Sequence, residues 1–174
     1  MGITMKRENL TILVAEDSDE DLYLLQRAIK RCEIPGVSVK ATTCGSEAVK
    51  YLRGDGKFVD RNQFPYPTFL LTDLKMTPGD GFSILEYLRS NPQSAIIPTV
   101  VLSTSADTDD IKRAYSLGAS AYLIKPTDLS TLNAMIGKLM AFWMICEVPE
   151  VDVAGVRLDT VSLGKMGDRF ADDD

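Results

Sequence analysis

Four short apolar runs in this chain end on side chains that could do chemistry. "LTILVA" leads into Glu16 and Asp17, "TFLLT" into Asp73, "TVVLS" ends on Ser103 and is followed by Thr104, and "AYLI" leads into Lys125. Three carboxylates brought close together repel unless a cation sits among them. Mg2+ suits such a place, because it is hard, prefers oxygen, and takes one or two carboxylates together with waters and a phosphate oxygen. A lysine is a compact mobile charge and a hydroxyl a donor, and both suit the oxygens of a phosphoryl group. A carboxylate nucleophile beside such a set describes phosphoryl transfer onto Asp73. Taken singly, each residue has a plainer use: Asp73 as a turn former, Glu16 and Asp17 as charges at a helix start, Lys125 as a solvated surface lysine. The phosphoryl-transfer reading depends on all of them meeting.

The elements between these residues supply the meeting place. Strand-like runs cover 10–15, 37–41, 68–72, 99–103 and 121–124, and they alternate with helical patterns over about 19–32, 45–53, 81–90, 108–117 and 128–147. The apolar faces are Leu22, Leu25 and Ile29 in the first helix, Phe82, Leu85 and Leu88 in the third, and Ile111, Ala114 and Tyr115 in the fourth. Strict strand–helix alternation predicts an α/β fold, a doubly wound five-stranded parallel sheet covered on both faces. Ligands of such sheets bind outside the carboxyl ends of the strands, and Glu16, Asp17, Asp73, Ser103 and Lys125 all fall there. If the first and third strands are neighbours, their ends lie about 5 Å apart. Ser18 and Asp21 resemble a helix-capping pair, Gly118 follows the fourth helix, and Pro92 lies just past the third. Residues 54–67 show no period and are expected to form a long loop, functional or mobile.

Composition removes several alternatives. The chain of 174 residues holds no histidine, so a Ser-His-Asp or Cys-His triad, a histidine metal site and a phosphohistidine within this chain are excluded. Cys32, Cys44 and Cys146 are odd in number and lack CxxC spacing, and are expected to be free thiols in the core. Net charge is −6, with seven acids against three bases in residues 150–174, and no basic stripe for a phosphate backbone, so no nucleic acid partner is expected. No apolar run is long enough to span a membrane, and the N-terminus lacks a signal-peptide core; a cytoplasmic protein without a membrane partner is expected. No GxGxxG or GxxxxGK loop follows the first strand, which speaks against nucleotide binding.

The segments "LVAEDS", "LLTDLKMTPGDG", "PTVVLSTSAD" and "GASAYLIKP" together resemble the receiver domain of two-component response regulators, over residues 10 to about 143. The intervals from Asp73 to Ser103 and from Ser103 to Lys125 are those receivers use. The resemblance implies a flavodoxin-like fold with strand order 2-1-3-4-5. It implies that Asp73 is the phosphoacceptor, supplied by a phosphohistidine on a separate sensor histidine kinase. Glu16, Asp17, Asp73 and the backbone carbonyl of Lys75 would be the Mg2+ ligands, and Lys125 the partner of the phosphoryl group. A cis Lys125–Pro126 bond is implied as well. Ser103 would be the switch hydroxyl and Tyr122 the aromatic that turns inward with it, while Lys75 and Ser105 occupy places that influence aspartyl-phosphate lifetime. Such a chain is an acceptor that loses its own phosphoryl group rather than an enzyme acting on other molecules. The long 54–67 connection, "FLLTDLKMTPGDGFSILEYLRSNP" and "AFW" are similar to single-domain regulators that partner bacterial phytochromes.

The expected organisation is a receiver over residues 1–148 with a long last helix, and an extension over 149–174 that is an arm or a disordered acidic tail. Too little follows the last helix for a helix-turn-helix output, so a single domain acting by binding is expected. Leu129, Leu132, Ile136, Leu139 and Trp143 form the stripe expected to face the sheet, with Met135, Met140, Phe142, Met144 and Ile145 elsewhere. A helix apolar nearly all round wants cover on both sides, which predicts a homodimer through the fifth helix and the C-terminal region; the alternative is that residues 150–174 fold back over it. Two other functions stay open: a receiver fold that only binds partners, and a haloacid-dehalogenase-type phosphatase, which would want an acid where Lys75 stands.

Overall fold

The computed structural model describes residues 10–91, 97–146 and Gly155. Pro92 and, apart from Gly155, the extension expected over 149–174 lie outside them. In chain order the elements are β1 (Leu10–Ala15), α1 (Asp19–Lys30), β2 (Val37–Thr42), α2 (Gly45–Arg53), a short 3-10 turn (Gly56–Phe58), β3 (Phe69–Thr72), α3 (Gly81–Ser90), β4 (Thr99–Ser103), α4 (Thr108–Ser116), β5 (Ala121–Ile124) and α5 (Leu129–Ile145). The five strands are all parallel in the order β2-β1-β3-β4-β5. This is the doubly wound arrangement expected from the alternation.

Successive side chains of a strand point to opposite faces, and the core divides accordingly. Ile12, Val14, Phe69, Leu71, Val100 and Leu102 meet Leu25, Ala28 and Ile29 of α1 and Leu132, Ile136 and Met140 of α5. Leu13, Ala15 and Leu70 meet Ala48, Tyr51 and Leu52 of α2 and Ile84 and Leu88 of α3 on the other face. Val101 packs there too, with Leu85 of α3 and Ala114 of α4. Both faces being covered explains why the inner strands read as unbroken apolar runs.

Helix starts follow local chemistry. The Ser18 hydroxyl accepts from the Asp21 amide, Asp80 from Ser83, and Asp128 from Thr131, each satisfying a donor that the first helical turn leaves free. Gly118, at φ +97, closes the fourth helix in the left-handed region that glycine enters without strain.

Five expectations are corrected. The buried line of α5 is Leu132, Ile136 and Met140, whereas Leu129 is exposed and Leu139 and Trp143 are half-buried against the same core. The i, i+4, i+8 line is the one aimed at the sheet, and in a helix apolar on every side a second line one residue away is equally plausible by pattern. Tyr115 of α4 is likewise exposed, and Ala114 alone of that helix is fully buried. Residues 54–67 are not a structureless loop: Phe58 and Tyr66 are buried, and Tyr51, Phe58 and Phe64 stack at centroid distances of 5.0 to 6.0 Å. Arg61 completes that packing by donating to the carbonyls of Tyr51, Leu52 and Phe64. Finally, the cis bond among the described residues is Thr77–Pro78, and Lys125–Pro126 is trans, the isomer that X–Pro bonds favour intrinsically. The three cysteines are free and half-buried rather than fully in the core.

Candidate functional site

Parallel pairing carries the strand ends to one edge. Ala15 is in register with Thr72, so Glu16 and Asp73 emerge side by side, and the Asp73 amide extends the ladder by donating to the Ala15 carbonyl at 3.0 Å. On the other side, the Lys125 amide donates to the Ser103 carbonyl at 2.9 Å, which fixes the lysine beside β4. The edge is the switch point in strand order, where one connection leaves β1 toward β2 and the next toward β3.

The loop after β3 is held from below and from the side. Gly81 donates to the Leu74 carbonyl at 3.0 Å, and a Cβ at Gly81 would stand 2.2 Å from the Asp73 carbonyl oxygen, so no side chain fits. The first amides of α2 also grip this loop, Gly45 donating to Gly79 at 2.9 Å and Ser46 to Pro78 at 3.2 Å.

Three acids meet as expected: carboxylate oxygens of Glu16, Asp17 and Asp73 all lie within 4.8 Å of one another. Glu16 and Asp73 are buried and Asp17 is exposed. At an effective dielectric of about 20, two unit charges about 5 Å apart repel by about 3 kcal/mol, so the cluster needs a counter-charge. Lys125 supplies one. Its Nζ donates to Glu16 Oε2 at 2.6 Å, Asp21 Oδ2 at 2.9 Å and Asp73 Oδ2 at 3.0 Å. The other Asp73 oxygen, Oδ1, accepts from the amides of Leu74 at 2.6 Å and Lys75 at 3.4 Å.

Burial alone would lower the lysine's pKa, but its bonds to Glu16, Asp21 and Asp73 outweigh that and raise it above the ordinary range. Burial raises the Glu16 carboxyl, with the Lys125 hydrogen bond opposing. Both groups therefore hold protons more tightly than they do in water, for different reasons.

Ser103 is fully buried at the end of β4, and its hydroxyl accepts from the Ser105 amide at 3.3 Å. Tyr122 donates to the Ser105 carbonyl at 2.9 Å, and its phenol is raised chiefly by burial. Thr104 is exposed. Ser103 and Tyr122 thus form a second group, joined to the acids through the backbone of Lys125. Two acids escaped the sequence reading. By sequence Asp21 reads only as part of the helix cap, although it lies about one helical turn past Asp17; Asp110, which takes the Ser105 hydroxyl at 2.6 Å, carries no signal beyond being an acid in a first turn.

Against known families, the model of the response regulator receiver domain matches residues 12–137. The chain belongs to the response regulator receiver family. Receivers of this family take a phosphoryl group on an aspartate, bind a divalent metal and partner sensor histidine kinases; they are generally not enzymes. The response regulator Rcp1 of Synechocystis is 32% identical over 133 residues, which cover 76% of this receiver and 88% of Rcp1. The structure of its Mn2+-bound form has a TM-score of 0.74 at 31% identity, with 81% of this chain and 99% of that one covered. A response regulator in red light signalling of R. palustris is 34% identical with a TM-score of 0.75, covering 82% and 99%. The phosphorylated cyanobacterial phytochrome response regulator RcpA is 31% identical with a TM-score of 0.76, covering 82% and 99%.

Proposed function

We propose that this receiver is a single-domain switch that takes a phosphoryl group on Asp73 from a phosphohistidine of a sensor histidine kinase. The observation that carries the reading is the three-way grip of Lys125 on Glu16, Asp21 and Asp73 at the strand edge. In the transfer, an Asp73 carboxylate oxygen attacks phosphorus, the P–N bond to the donor imidazole breaks, and the imidazole leaves with its electron pair and takes up a proton. Asp73 is suited to the attack because it is buried and oriented by Leu74 yet lies at the mouth of the edge. Lys125 is the cation within reach of the incoming phosphoryl oxygens.

The donor set fits Mg2+. Glu16, Asp17 and Asp73 offer hard oxygens within 4.8 Å of one another, and the Lys125 ammonium is one positive charge shared among Glu16, Asp21 and Asp73. These three, with the Lys75 carbonyl, would hold the ion. When bound it neutralises charge on the transferring phosphoryl group.

Once Asp73 carries the added charge, Ser103 and Lys125 are drawn to it, and the conformation that brings them closer gains population. Tyr122, bonded to the residue that holds the Ser103 hydroxyl, passes that change to β5 and α4. Loss of the phosphoryl group by the receiver's own hydrolysis returns the switch.

The likeness to Rcp1, RcpA and the R. palustris regulator favours a phytochrome-type kinase in the cytoplasm as the donor. Phe142 and Ile145 are exposed late in α5, which supports a homodimer through that helix and the C-terminal region. We read residues 1–148 as the receiver unit and 149–174 as an extension from it.

Intact mass after incubation with Mg2+ and a small phosphodonor tests the core of this reading. An adduct of about 80 Da that disappears in Asp73→Asn and in a chelated sample is expected. No adduct from the donor or from a phosphorylated kinase would favour a receiver that acts only by binding.

A further inference from the structure

Gly155 is buried, although it follows the end of α5 at Cys146 by about nine residues, a length of chain that reaches at most about 30 Å. A Cβ built on it would stand 2.5 Å from Cγ and Cδ2 of Tyr66 and 2.7 Å from Cδ1. These three atoms form one end of the ring, and near-equal distances to them put that Cβ over the ring's face rather than at its edge. The backbone of Gly155 therefore lies against the face of Tyr66. Its φ is +85, in the left-handed region. An unstrained positive φ and the lack of room for a Cβ are separate demands, and glycine alone meets both. Tyr66 itself is buried in the cluster of Tyr51, Phe58 and Leu70, with the Arg61 guanidinium 5.9 Å from its ring centroid. It stands just before β3, at the opposite end of that strand from Asp73, and on the face across the sheet from α5. Trp143, near the end of α5, packs on Phe69 at a centroid distance of 5.6 Å, so the helix ends beside the same end of β3 and the crossing is short.

We propose that the chain beyond α5 docks on its own receiver, with the face of Tyr66 as the seat and Gly155 as the residue that fits it. The occupant is this chain's own C-terminal segment, because Gly155 of the same chain is the residue found on the ring. The order of residues 54–67 then has a consequence: the packing of Phe58, Phe64 and Arg61 about Tyr51 fixes Tyr66 in place to receive that segment. Covering the ring removes an apolar face from water, which favours the docked state. The seat uses neither the acids of the strand edge nor the exposed Phe142 and Ile145, so it stands independently of the phosphoacceptor reading.

Nuclear Overhauser contacts between the Gly155 α-protons and the Tyr66 ring, measured on the full chain, test this directly. The contacts are expected, with the α-protons shifted upfield by the ring they lie against. In a mixture of isotope-labelled and unlabelled chains, the contact should stay within one chain. A contact found only between differently labelled chains would give the seat to a second copy, and no contact at all would leave Gly155 unseated; either result overturns the proposal. Trypsin gives a second readout at Arg157, two residues further along the chain. Gly155→Ala should speed cleavage there about tenfold, because proteolysis follows the population of the open form, with cleavage inside residues 10–146 unchanged. An unchanged rate at Arg157 would mean that the position does not require glycine. Equal acceleration at every site would mean that the variant loosens the whole domain rather than the seat, and both of these outcomes also count against the proposal.

Discussion

The hydroxyl of Tyr122 reaches from β5 to the carbonyl of Ser105 in the loop that leads into α4, at 2.9 Å. Ser105 is also the residue whose amide holds the Ser103 hydroxyl and whose own hydroxyl donates to Asp110 at 2.6 Å. One buried serine thus joins the end of β4, the start of α4 and the edge strand. Ser103 cannot leave it without altering what the other two hold.

Ser105→Ala removes the bond donated to Asp110 and the long one accepted from the Asp107 amide, but leaves the backbone bonds to Ser103 and Tyr122. A single such bond contributes about 1 kcal/mol. Hydrogen exchange of the first-turn amides of α4 is expected to speed up about fivefold, with α3 unchanged. Equal acceleration throughout the domain would point to global destabilisation instead.

Lys125→Gln strips Glu16 and Asp73 of their shared counter-charge while both stay buried. Breaking a buried pair from one side costs about 3 kcal/mol. Urea melts in chelator should show a loss of that order, and millimolar Mn2+ should restore more stability to the variant than it adds to the wild type.

Tyr51 gives a pH-dependent test. Its phenol is pushed up to about 12 by burial, with Arg61 opposing, and it donates to the Pro65 carbonyl at 2.9 Å. Above pH 10 the unfolded chain loses this proton first. Stability held below pH 10 should therefore fall as pH rises from 10 to about 12, by roughly 2 to 3 kcal/mol for a shift of this size. The fall is read as the difference between wild type and Tyr51→Phe, and parallel pH profiles for the two would refute it.

Arg61→Ala uncaps three carbonyls at once, those of Tyr51, Leu52 and Phe64. A destabilisation of about 2 kcal/mol is expected by denaturant titration, since bonds to a charged donor count for more than neutral ones. Arg61→Lys should recover only part, because an ammonium lacks the planar fork that reaches two carbonyls together.

The last helix separates packing from assembly. Met140→Ala should cost about 2 kcal/mol or more from the buried face. Phe142→Ser with Ile145→Ser should leave monomer stability within about 1 kcal/mol and, if the proposed homodimer forms through α5, should convert it to monomer in sedimentation. A double variant that stays dimeric would move the interface elsewhere.

Much of the fold was legible because its signals are local. Strands buried on both faces read as apolar runs, so 10–15 and 99–103 agree with the observed strands, and capping residues marked several helix starts. The acids of the site were legible for a different reason: parallel strands deliver their ends to one edge, so chain position alone places Glu16, Asp73 and Lys125 together. Asp21 was missed because its contact depends on how a helix turn faces a strand 104 residues away in the chain. Met140 was missed because a helix apolar on all sides has no single stripe. The order in residues 54–67 comes from aromatic rings and a guanidinium reaching back to α2, which leaves no period to read.

Arg61 closes the far end of α2 while the near end of the same helix grips Gly79 and Pro78 beside Asp73. The α2 side of the domain is thereby bolted at both ends and acts as a stator. Across the sheet edge, the start of α4 hangs on the Ser105 hydroxyl, which donates to Asp110 and accepts from the Asp107 amide, and on its own cap. Work done at Asp73 has one compliant direction, and the rotor of this switch is the α4–β5 side.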